Sequence, residues 1–258
     1  MTTPSRPVDP PAAGRRPRFT LAHRMPPPSG EYRWVYLWGW PIRAMHWAAV
    51  ASVLLLIVTG LYIGNPWLQT TGEASSHFLM GWFRFLHFLA AAVLVATGIV
   101  RVYWLFAGDR FERFAALFPV RPKDWVNLFK QVKYYLMVRP EEAPRYLGHN
   151  PLQQLSYTGL YLVTVLMVIT GFAMYGQSNP NGIWYALFNW VGTLFGGMPV
   201  VRFLHHAAAW VFVIFVPIHV YLAIRADHME RTGTISSIIS GGRFVPVDEQ
   251  FEDGGPDA

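Results

Sequence analysis

The stretch LHHAAAWVFVIFVPIHVYLAIR, residues 204–225, places two histidines in a segment otherwise apolar enough for a lipid bilayer. His205 and His219 are fourteen residues apart. In an α-helix this spacing brings the second side chain to within roughly 40° of the first and separates them by about 21 Å along the axis. The helix therefore offers two ligands, one near each membrane surface.

Composition indicates a membrane protein and restricts its cofactors. The chain is 53% hydrophobic and 14% charged, whereas soluble domains average about 25% charged residues. It contains no cysteine, so thiolate zinc sites, iron–sulfur clusters, disulfides and thioether-attached haem are excluded for this chain alone. A bound metal would have to rest on histidine, methionine or carboxylate.

Four long apolar segments predict an all-α fold, an integral membrane four-helix bundle. Each is about twenty residues long, enough to cross about 30 Å of hydrocarbon as a helix. The predicted spans are 44–63, 85–107, 156–175 and 203–224, within one domain of residues 33–245. Residues 1–32, rich in Pro and Arg, are predicted to form a disordered cytoplasmic tail, and 246–258 an acidic C-terminal tail.

The distribution of basic residues predicts how the spans are oriented. Seven arginines lie within residues 1–43, and eight Lys or Arg residues lie between 108 and 150. Loops 64–81 and 176–201 contain no Lys or Arg. The positive-inside rule then predicts cytoplasmic N and C termini in the cell inner membrane, with those two loops in the periplasm. The formal net charge of +6 fits this topology and attraction to the lipid bilayer, so no nucleic-acid partner is predicted.

Predicted depth sorts four histidines into two pairs. His87 and His205 fall near the periplasmic side, and His46 and His219 near the cytoplasmic side. Ionisable residues inside a membrane are costly and usually functional. Two neutral imidazoles per site suit haem b, as a low-spin electron-transfer centre, whereas zinc would require four ligands. We predict that these four histidines are axial ligands to the iron of two b haems, with one haem as the minimum.

Glycines and one arginine are candidate contacts of the same cofactors. Thr-Gly pairs recur in three spans, as Thr59-Gly60, Thr97-Gly98 and Thr170-Gly171. Gly60 lies fourteen residues from His46 and Gly98 eleven from His87, so each shares its histidine's face at the height of the other haem. A missing side chain there would let a porphyrin approach the backbone, although ordinary helix packing through small residues gives the same pattern. Arg101, the deepest basic residue, is predicted to pair with haem propionates, with snorkelling to headgroups as the alternative.

Four segments carry a family resemblance. They are VYLWGWPIRAMHW (35–47), MGWFRFLHF (80–88), GHNPLQQLSYTGLYLVTVLMVITGFAMYG (148–176) and the LHH…HVY segment. In order and spacing they resemble the b-type cytochrome subunit of membrane-bound NiFe hydrogenases, a bacterial di-haem cytochrome b family. The resemblance covers roughly residues 33–245, and its axial ligands fall on the same four histidines. The chain departs from the family at Gly39, near which an acidic residue is common, and at His206, where an arginine is expected.

The resemblance implies an electron conduit. A periplasmic hydrogenase of large and small subunits would pass electrons from hydrogen, chiefly through the small subunit's iron–sulfur clusters, to the haems and then to menaquinone or ubiquinone. This chain would be the anchoring and electron-transfer subunit of a hydrogen:quinone oxidoreductase, without hydrogen-activating residues of its own. A quinone pocket is expected near His46, His149 and Arg101.

Three other functions stay open at this stage. The chain could instead be the di-haem cytochrome b subunit of another respiratory oxidoreductase, of formate dehydrogenase or thiosulfate reductase type, which would transfer electrons in the same way from a different donor. A stand-alone quinone-linked cytochrome b would need no partner. A haem-free anchor or transporter would keep the histidines in its core as interhelical hydrogen-bonding groups.

Overall fold

Long helices dominate the computed structural model, which describes residues 30–68, 70–73, 76–119, 121–136, 144–230, 232–247 and 249–253. In chain order the elements are β1 (Tyr32–Tyr36), α1 (Trp40–Gly64), α2 (Leu79–Ala107), α3 (Phe114–Leu117), α4 (Pro122–Tyr135), α5 (Pro151–Gly176), α6 (Ile183–Phe188), α7 (Trp190–Leu194), α8 (Met198–Glu230), α9 (Thr234–Ser240) and β2 (Gly242–Pro246). Among the described residues, α1, α2, α5 and α8 are long and apolar enough to cross a membrane. The predicted helical membrane bundle is confirmed, and a two-stranded sheet is added to it.

The four long helices extend beyond the apolar segments that revealed them. At the start of α5, Asn150 accepts a hydrogen bond from the Gln153 backbone N–H at 3.0 Å, and the Gln153 side chain accepts one from the Asn150 backbone N–H at 3.0 Å. This reciprocal pair starts α5 at Pro151, five residues before its predicted span. Helix α8 likewise continues from Met198 to Glu230, through Pro217.

The helices pack as two antiparallel pairs. Helix α1 lies against α2 and α5 against α8, and α1 also contacts α8. We call the end with β1, β2 and α9 the sheet end, and the end with loops 65–78 and 177–197 the far end. Buried apolar clusters lie at these two ends. The sheet-end cluster is Val35, Leu37, Phe111, Leu147 and Val245, and the far-end cluster is Ala173, Val191 and Val201.

The sheet end is tied together by a buried arginine. Strands β1 and β2 pair antiparallel, with Tyr36 opposite Gly242. Arg243, the next residue in β2, is 8% exposed, and its Nη2 donates to the carbonyl oxygens of Tyr146 and Leu147 at 2.8 and 3.0 Å. Its Nη1 donates to Glu230 at 3.2 Å. One side chain thereby joins the sheet, the loop before α5 and the end of α8.

The described part of the segment predicted as an acidic tail is docked at this end. The two carboxylate oxygens of Asp253 accept hydrogen bonds from the backbone N–H groups of Leu147 and Gly148, at 2.8 and 2.7 Å. Glu249 pairs with Arg145. Residues 1–29 and 254–258, which make up most of the predicted N-terminal tail and the end of the acidic tail, lie outside the described residues.

Helix α4 buries a polar face and exposes an apolar one. Asp124 and Asn127 are buried, and the Asn127 amide donates to the Tyr146 hydroxyl at 2.9 Å. Trp125 and Phe129 are 50% and 69% exposed. An exposed aromatic face beside a membrane bundle fits a helix that lies along the bilayer surface.

Removal of the Arg243 guanidinium should destabilise the sheet end. Arg243→Met leaves two buried carbonyl oxygens without a donor, so we expect the free energy of unfolding to fall by about 2 kcal/mol. Chemical unfolding in detergent measures this. Lys123→Met is the control, because the Lys123 contact with Glu252 is exposed and its loss should change stability by less than about 0.5 kcal/mol. Equal losses in the two variants would contradict the role given to Arg243.

Candidate functional site

The far-end histidines come from different helix pairs. His87 is the ninth residue of α2 and His205 the eighth of α8. Their side chains lie close enough for a direct electrostatic interaction. The structure therefore brings together the two residues that predicted depth had paired.

A threonine holds the ring of His87. Thr59, on α1 and 1% exposed, has its Oγ1 2.9 Å from Nδ1 of His87. The same hydroxyl lies 2.6 Å from the carbonyl oxygen of Leu55, one turn earlier in α1. Because Nδ1 is engaged, Nε2 is the nitrogen left for a metal.

The ring of His205 is held in the same way. Thr170, on α5 and fully buried, has its Oγ1 2.8 Å from Nδ1 of His205 and 2.7 Å from the carbonyl oxygen of Leu166. His87 and His205 thus make the same contact, in which Nδ1 meets a threonine hydroxyl from the neighbouring helix of its own pair. Sequence reasoning had noted the Thr-Gly pairs only for their glycines.

The glycine after each threonine lies against the same ring. A Cβ on Gly60 would lie 3.2 Å from Cε1 of His87, and one on Gly171 would lie 3.4 Å from Cε1 of His205. A side chain at Gly60 would therefore press on the imidazole. Gly98 differs, because a Cβ there would meet nothing within 4 Å among the described residues. That space is open to a porphyrin or a lipid chain.

His206 points away from its neighbour. A Cβ on Gly64, the last residue of α1, would lie 3.1 Å from Cε1 of His206. The ring of His206 therefore packs on α1, whereas that of His205 packs on α5. The two adjacent histidines have different surroundings, as their 100° offset on a helix requires.

The sheet-end histidines are also brought together. His46 and His219 lie close enough for an electrostatic interaction, and His219 stacks on Phe215 with ring centroids 5.4 Å apart. Nδ1 of His46 is buried and has no hydrogen-bond partner in the described part of the chain. His46 therefore lacks the hydroxyl contact that both far-end rings have.

Arg101 carries a free donor at the same end. The side chain is 9% exposed, and its Nε donates to the Tyr161 hydroxyl at 3.3 Å while Nη2 donates to the Glu112 carbonyl at 3.0 Å. Nη1 is buried and unpartnered among the described residues. A buried guanidinium N–H without an acceptor fits an anionic group, such as a haem propionate, that is absent from the polypeptide.

Other side chains at the sheet end also have buried polar atoms without a hydrogen-bond partner among the described residues. Within the described ranges, buried side-chain atoms without a hydrogen-bond partner include Arg43 Nε, Arg225 Nη1, His149 Nδ1 and Gln154 Oε1. Such atoms are normally satisfied in folded proteins. A cofactor with two carboxylates and a bound polar molecule would supply the missing partners. The residues present therefore fit a haem at this end as well.

No bare-ion site competes with this interpretation in the part of the chain that the structure describes. No three histidine, aspartate or glutamate side chains come together there in a group suited to a metal ion. Each histidine pair supplies only two donors. Two histidine donors would suit the iron of a haem, because the porphyrin supplies the other ligands, whereas a zinc ion would need more protein ligands.

His149 lies beside Arg101 in aromatic surroundings. Its ring is 4.8 Å from Trp38 and 5.1 Å from Tyr157, measured between centroids. Burial, together with the positive charge of Arg101, lowers the pKa of His149 to about 4. The imidazole is therefore neutral at pH 7. It does not cap α5, because Asn150 does.

Sequence reasoning missed the buried carboxylate of Glu112. This residue is 1% exposed and accepts hydrogen bonds from the Gly39 backbone N–H and the Trp104 indole N–H, both at 2.6 Å. A Cβ on Gly39 would lie 3.2 Å from Oε1 of Glu112. A carboxylate therefore does lie beside position 39, supplied by a residue 73 positions later in the chain.

Sequence comparison identifies the class of protein. Residues 37–241 match the family described as prokaryotic cytochrome b561. The chain belongs to this family and is a b-type membrane cytochrome, which implies haem b as its cofactor. The predicted family resemblance is confirmed.

Individual relatives cover most of the chain. A protein of Azotobacter chroococcum mcd 1, named a probable Ni/Fe-hydrogenase B-type cytochrome subunit, is 41% identical over 227 residues, which are 86% of this chain and 91% of the relative. A Cupriavidus necator protein of the same name is 39% identical over 213 residues, 81% and 86% of the two chains. A probable Ni/Fe-hydrogenase 1 B-type cytochrome subunit of Escherichia coli K12 is 34% identical over 213 residues, 81% and 90% of the two.

Acid should destabilise the protein partly through His149. Its folded pKa of about 4 lies below the unfolded value of about 6.5, so the unfolded chain binds a proton that the folded chain does not. Stability is therefore lost as pH falls from about 6.5 to 4, by at most about 1.4 kcal/mol per pH unit. His149→Phe should show a shallower loss in unfolding measured across this range. Tyr157→Phe, which alters the same surroundings without removing the imidazole, should keep the wild-type slope; a wild-type slope in His149→Phe would contradict the assignment.

Proposed function

We propose that this chain anchors a periplasm-facing NiFe hydrogenase in the inner membrane and carries electrons from its iron–sulfur subunit, through b haems, to the quinone pool. Relatives named as hydrogenase B-type cytochrome subunits match it over more than four fifths of its length. The observation that carries the proposal is the far-end pair, in which His87 and His205 lie together with Nδ1 engaged. Two imidazoles prepared in this way suit one six-coordinate iron.

The axial ligands follow from the two pairs. His87 and His205 bind one haem iron at the far end, and His46 and His219 bind a second at the sheet end. Haem b between two imidazoles supplies a one-electron centre without an open position for substrate. The polypeptide orients the rings and surrounds them with apolar helix, which keeps water from the iron.

Three further residues contact the cofactors in this proposal. Gly60 leaves room for the His87 ring and the far-end haem, and Gly98 leaves open space in the half of α2 nearer the sheet end. Arg101 offers its Nη1, which has no partner in the described part of the chain, to a propionate of the sheet-end haem. This pairing would neutralise a charge that is otherwise costly to bury.

The proposed orientation puts the sheet end and both termini in the cytoplasm. The loops at the sheet end hold the basic residues, and the far-end loops hold none, as the positive-inside rule requires. The far end exposes a row of aromatic side chains suited to a membrane interface and to a partner's apolar surface. They are Trp67, Phe78, Trp82, Trp184 and Trp190. We place the hydrogenase there, chiefly through its small subunit.

Quinone, as menaquinone or ubiquinone, would then be reduced at the sheet end. Within the described ranges, Nδ1 of the neutral His149 ring and Nη1 of Arg101 have no hydrogen-bond partner, and Arg101 lies near enough to lower the pKa of His149. Such groups are suited to hydrogen bonds with quinone carbonyl oxygens. Trp38 and Tyr157, on either side of His149, provide flat apolar contacts for the ring.

Haem quantification in the purified complex tests the proposal most directly. The wild-type chain, isolated with its co-purifying subunits, should show b-type bands in a reduced-minus-oxidised spectrum and two haems per chain. His205→Ala and His219→Ala should each lose one haem, because each removes one axial ligand. His206→Ala is the matched control and should keep both, since its ring packs on Gly64. Wild-type protein without b-type bands, or without hydrogenase subunits, would contradict the proposal.

Proton uptake tests the proposed direction. Each electron that moves inward against a negative-inside potential costs about 2.3 kcal/mol per 100 mV, and quinone reduced at the sheet end takes its protons from the cytoplasm. Inside-facing pH probes in vesicles of native orientation should therefore report uptake during hydrogen-dependent quinone reduction. Quinone reduction without uptake from the inner side would exclude the sheet end as the quinone side.

A further inference from the structure

We infer that Thr59 and Thr170 are positioning residues that fix the tautomer and the ring plane of His87 and His205, and so set the properties of the far-end haem. This inference rests on the proposed assignment of the two histidines as axial ligands. It assigns a function to the hydroxyl groups of the Thr-Gly pairs, for which sequence analysis had considered only the glycines.

The hydrogen-bond directions follow from the two short contacts of each hydroxyl. A threonine hydroxyl carries one proton and two lone pairs. The Oγ1 atoms of Thr59 and Thr170 lie 2.6 and 2.7 Å from carbonyl oxygens, distances at which two oxygens repel unless a proton lies between them. The hydroxyl proton is therefore donated to the carbonyl. The remaining contact, to the imidazole, must then be a hydrogen bond that Nδ1–H donates to Oγ1.

The tautomer follows for both rings. With the proton on Nδ1, a neutral imidazole of His87 or His205 has its lone pair on Nε2. Nε2 is then ready to bind iron without loss of a proton. A hydrogen bond from the other ring nitrogen makes the ligand more basic, which favours ferric over ferrous iron. Each threonine should therefore lower the midpoint potential of the far-end haem.

Ring orientation is fixed by the same two-residue device. The hydroxyl contacts Nδ1, and the glycine that follows the threonine lies against Cε1 of the same ring. A Cβ added at Gly60 would lie 3.2 Å from Cε1 of His87, and one added at Gly171 would lie 3.4 Å from Cε1 of His205. Both threonines are almost fully buried, so no water competes for Nδ1. The two rings consequently have set planes before any cofactor is present.

Two other threonines provide controls that the chain itself offers. Thr97 on α2 and Thr164 on α5 also donate to the carbonyl oxygen four residues earlier, each at 2.8 Å. Their hydrogen bonds in the described part of the chain include no imidazole. Substitution at these positions also removes a threonine hydroxyl and its hydrogen bond to the backbone carbonyl four residues earlier, but it does not affect a proposed haem ligand.

The experiment compares threonine with isosteric valine and with serine in the full, haem-loaded complex. Thr59→Val and Thr170→Val should raise the midpoint potential of the far-end haem, identified as the component that His205→Ala abolishes, and weaken haem binding by about 10-fold. The electron paramagnetic resonance signal of the ferric haem, which depends on the angle between the two ring planes, should broaden or shift. Thr59→Ser and Thr170→Ser should restore potential and signal, because serine keeps the hydroxyl. Thr97→Val and Thr164→Val should match wild type.

Distinct results overturn the inference and the proposed function. If His205→Ala loses the far-end haem but both valine variants keep the wild-type potential and signal, the threonines are not positioning residues and the ligand assignment stands. If serine fails to restore what valine changes, or the control variants shift equally, the effect comes from packing and the inference is wrong. If His205→Ala keeps both haems, the ligand assignment itself fails. Membrane content of each variant, measured by immunoblot, confirms that the chains compared are inserted.

Discussion

Polar groups inside a hydrocarbon layer must find their partners within the protein, and the long helices of this chain are arranged under that constraint. Backbone groups are satisfied by the helices themselves. Thr59 and Thr170 satisfy their hydroxyls in their own helix and then serve the imidazoles of His87 and His205. At the sheet end the same constraint leaves Arg101 Nη1 without an acceptor among the residues that the structure describes. Satisfied and unsatisfied atoms together outline where a cofactor belongs.

Packing is concentrated outside the region that holds the histidines. A buried cluster around Leu37 and Leu147 closes the sheet end, and a second around Val191 and Val201 closes the far end. Between them the helices bury few large apolar side chains, and much of their surface suits lipid. The two clusters therefore anchor the helices at their ends. Arg243 and Asp253 contribute to the sheet end through backbone groups of the loop before α5.

Hydropathy and histidine spacing predict the four membrane helices and both histidine pairs, because each signal is local to one helix. The sheet could not be predicted in this way: its strands are five residues each and lie about 200 positions apart in sequence, so neither carries a local signal for the other. Helix ends were misplaced where capping overrides hydropathy, as Asn150 does at α5. Glu112 stayed hidden because nothing in a loop sequence shows that a carboxylate will be buried. The sequence shows the Thr-Gly pair three times, but in the described residues Thr97 contacts no histidine. The sequence alone therefore could not tell which of the three threonines contact a histidine.

The hydrogen bonds that orient the far-end rings each stay within one helical hairpin. Thr59 and His87 belong to α1 and α2, 28 residues apart, and Thr170 and His205 to the α5–α8 pair, 35 residues apart. Neither contact needs a residue from the other helix pair. Each half of the protein therefore supplies the hydrogen-bond partner of its own histidine. Under the proposed ligand assignment, association of the halves would bring two oriented imidazoles to one haem iron, and a substitution in one half would leave the ring contact of the other half in place.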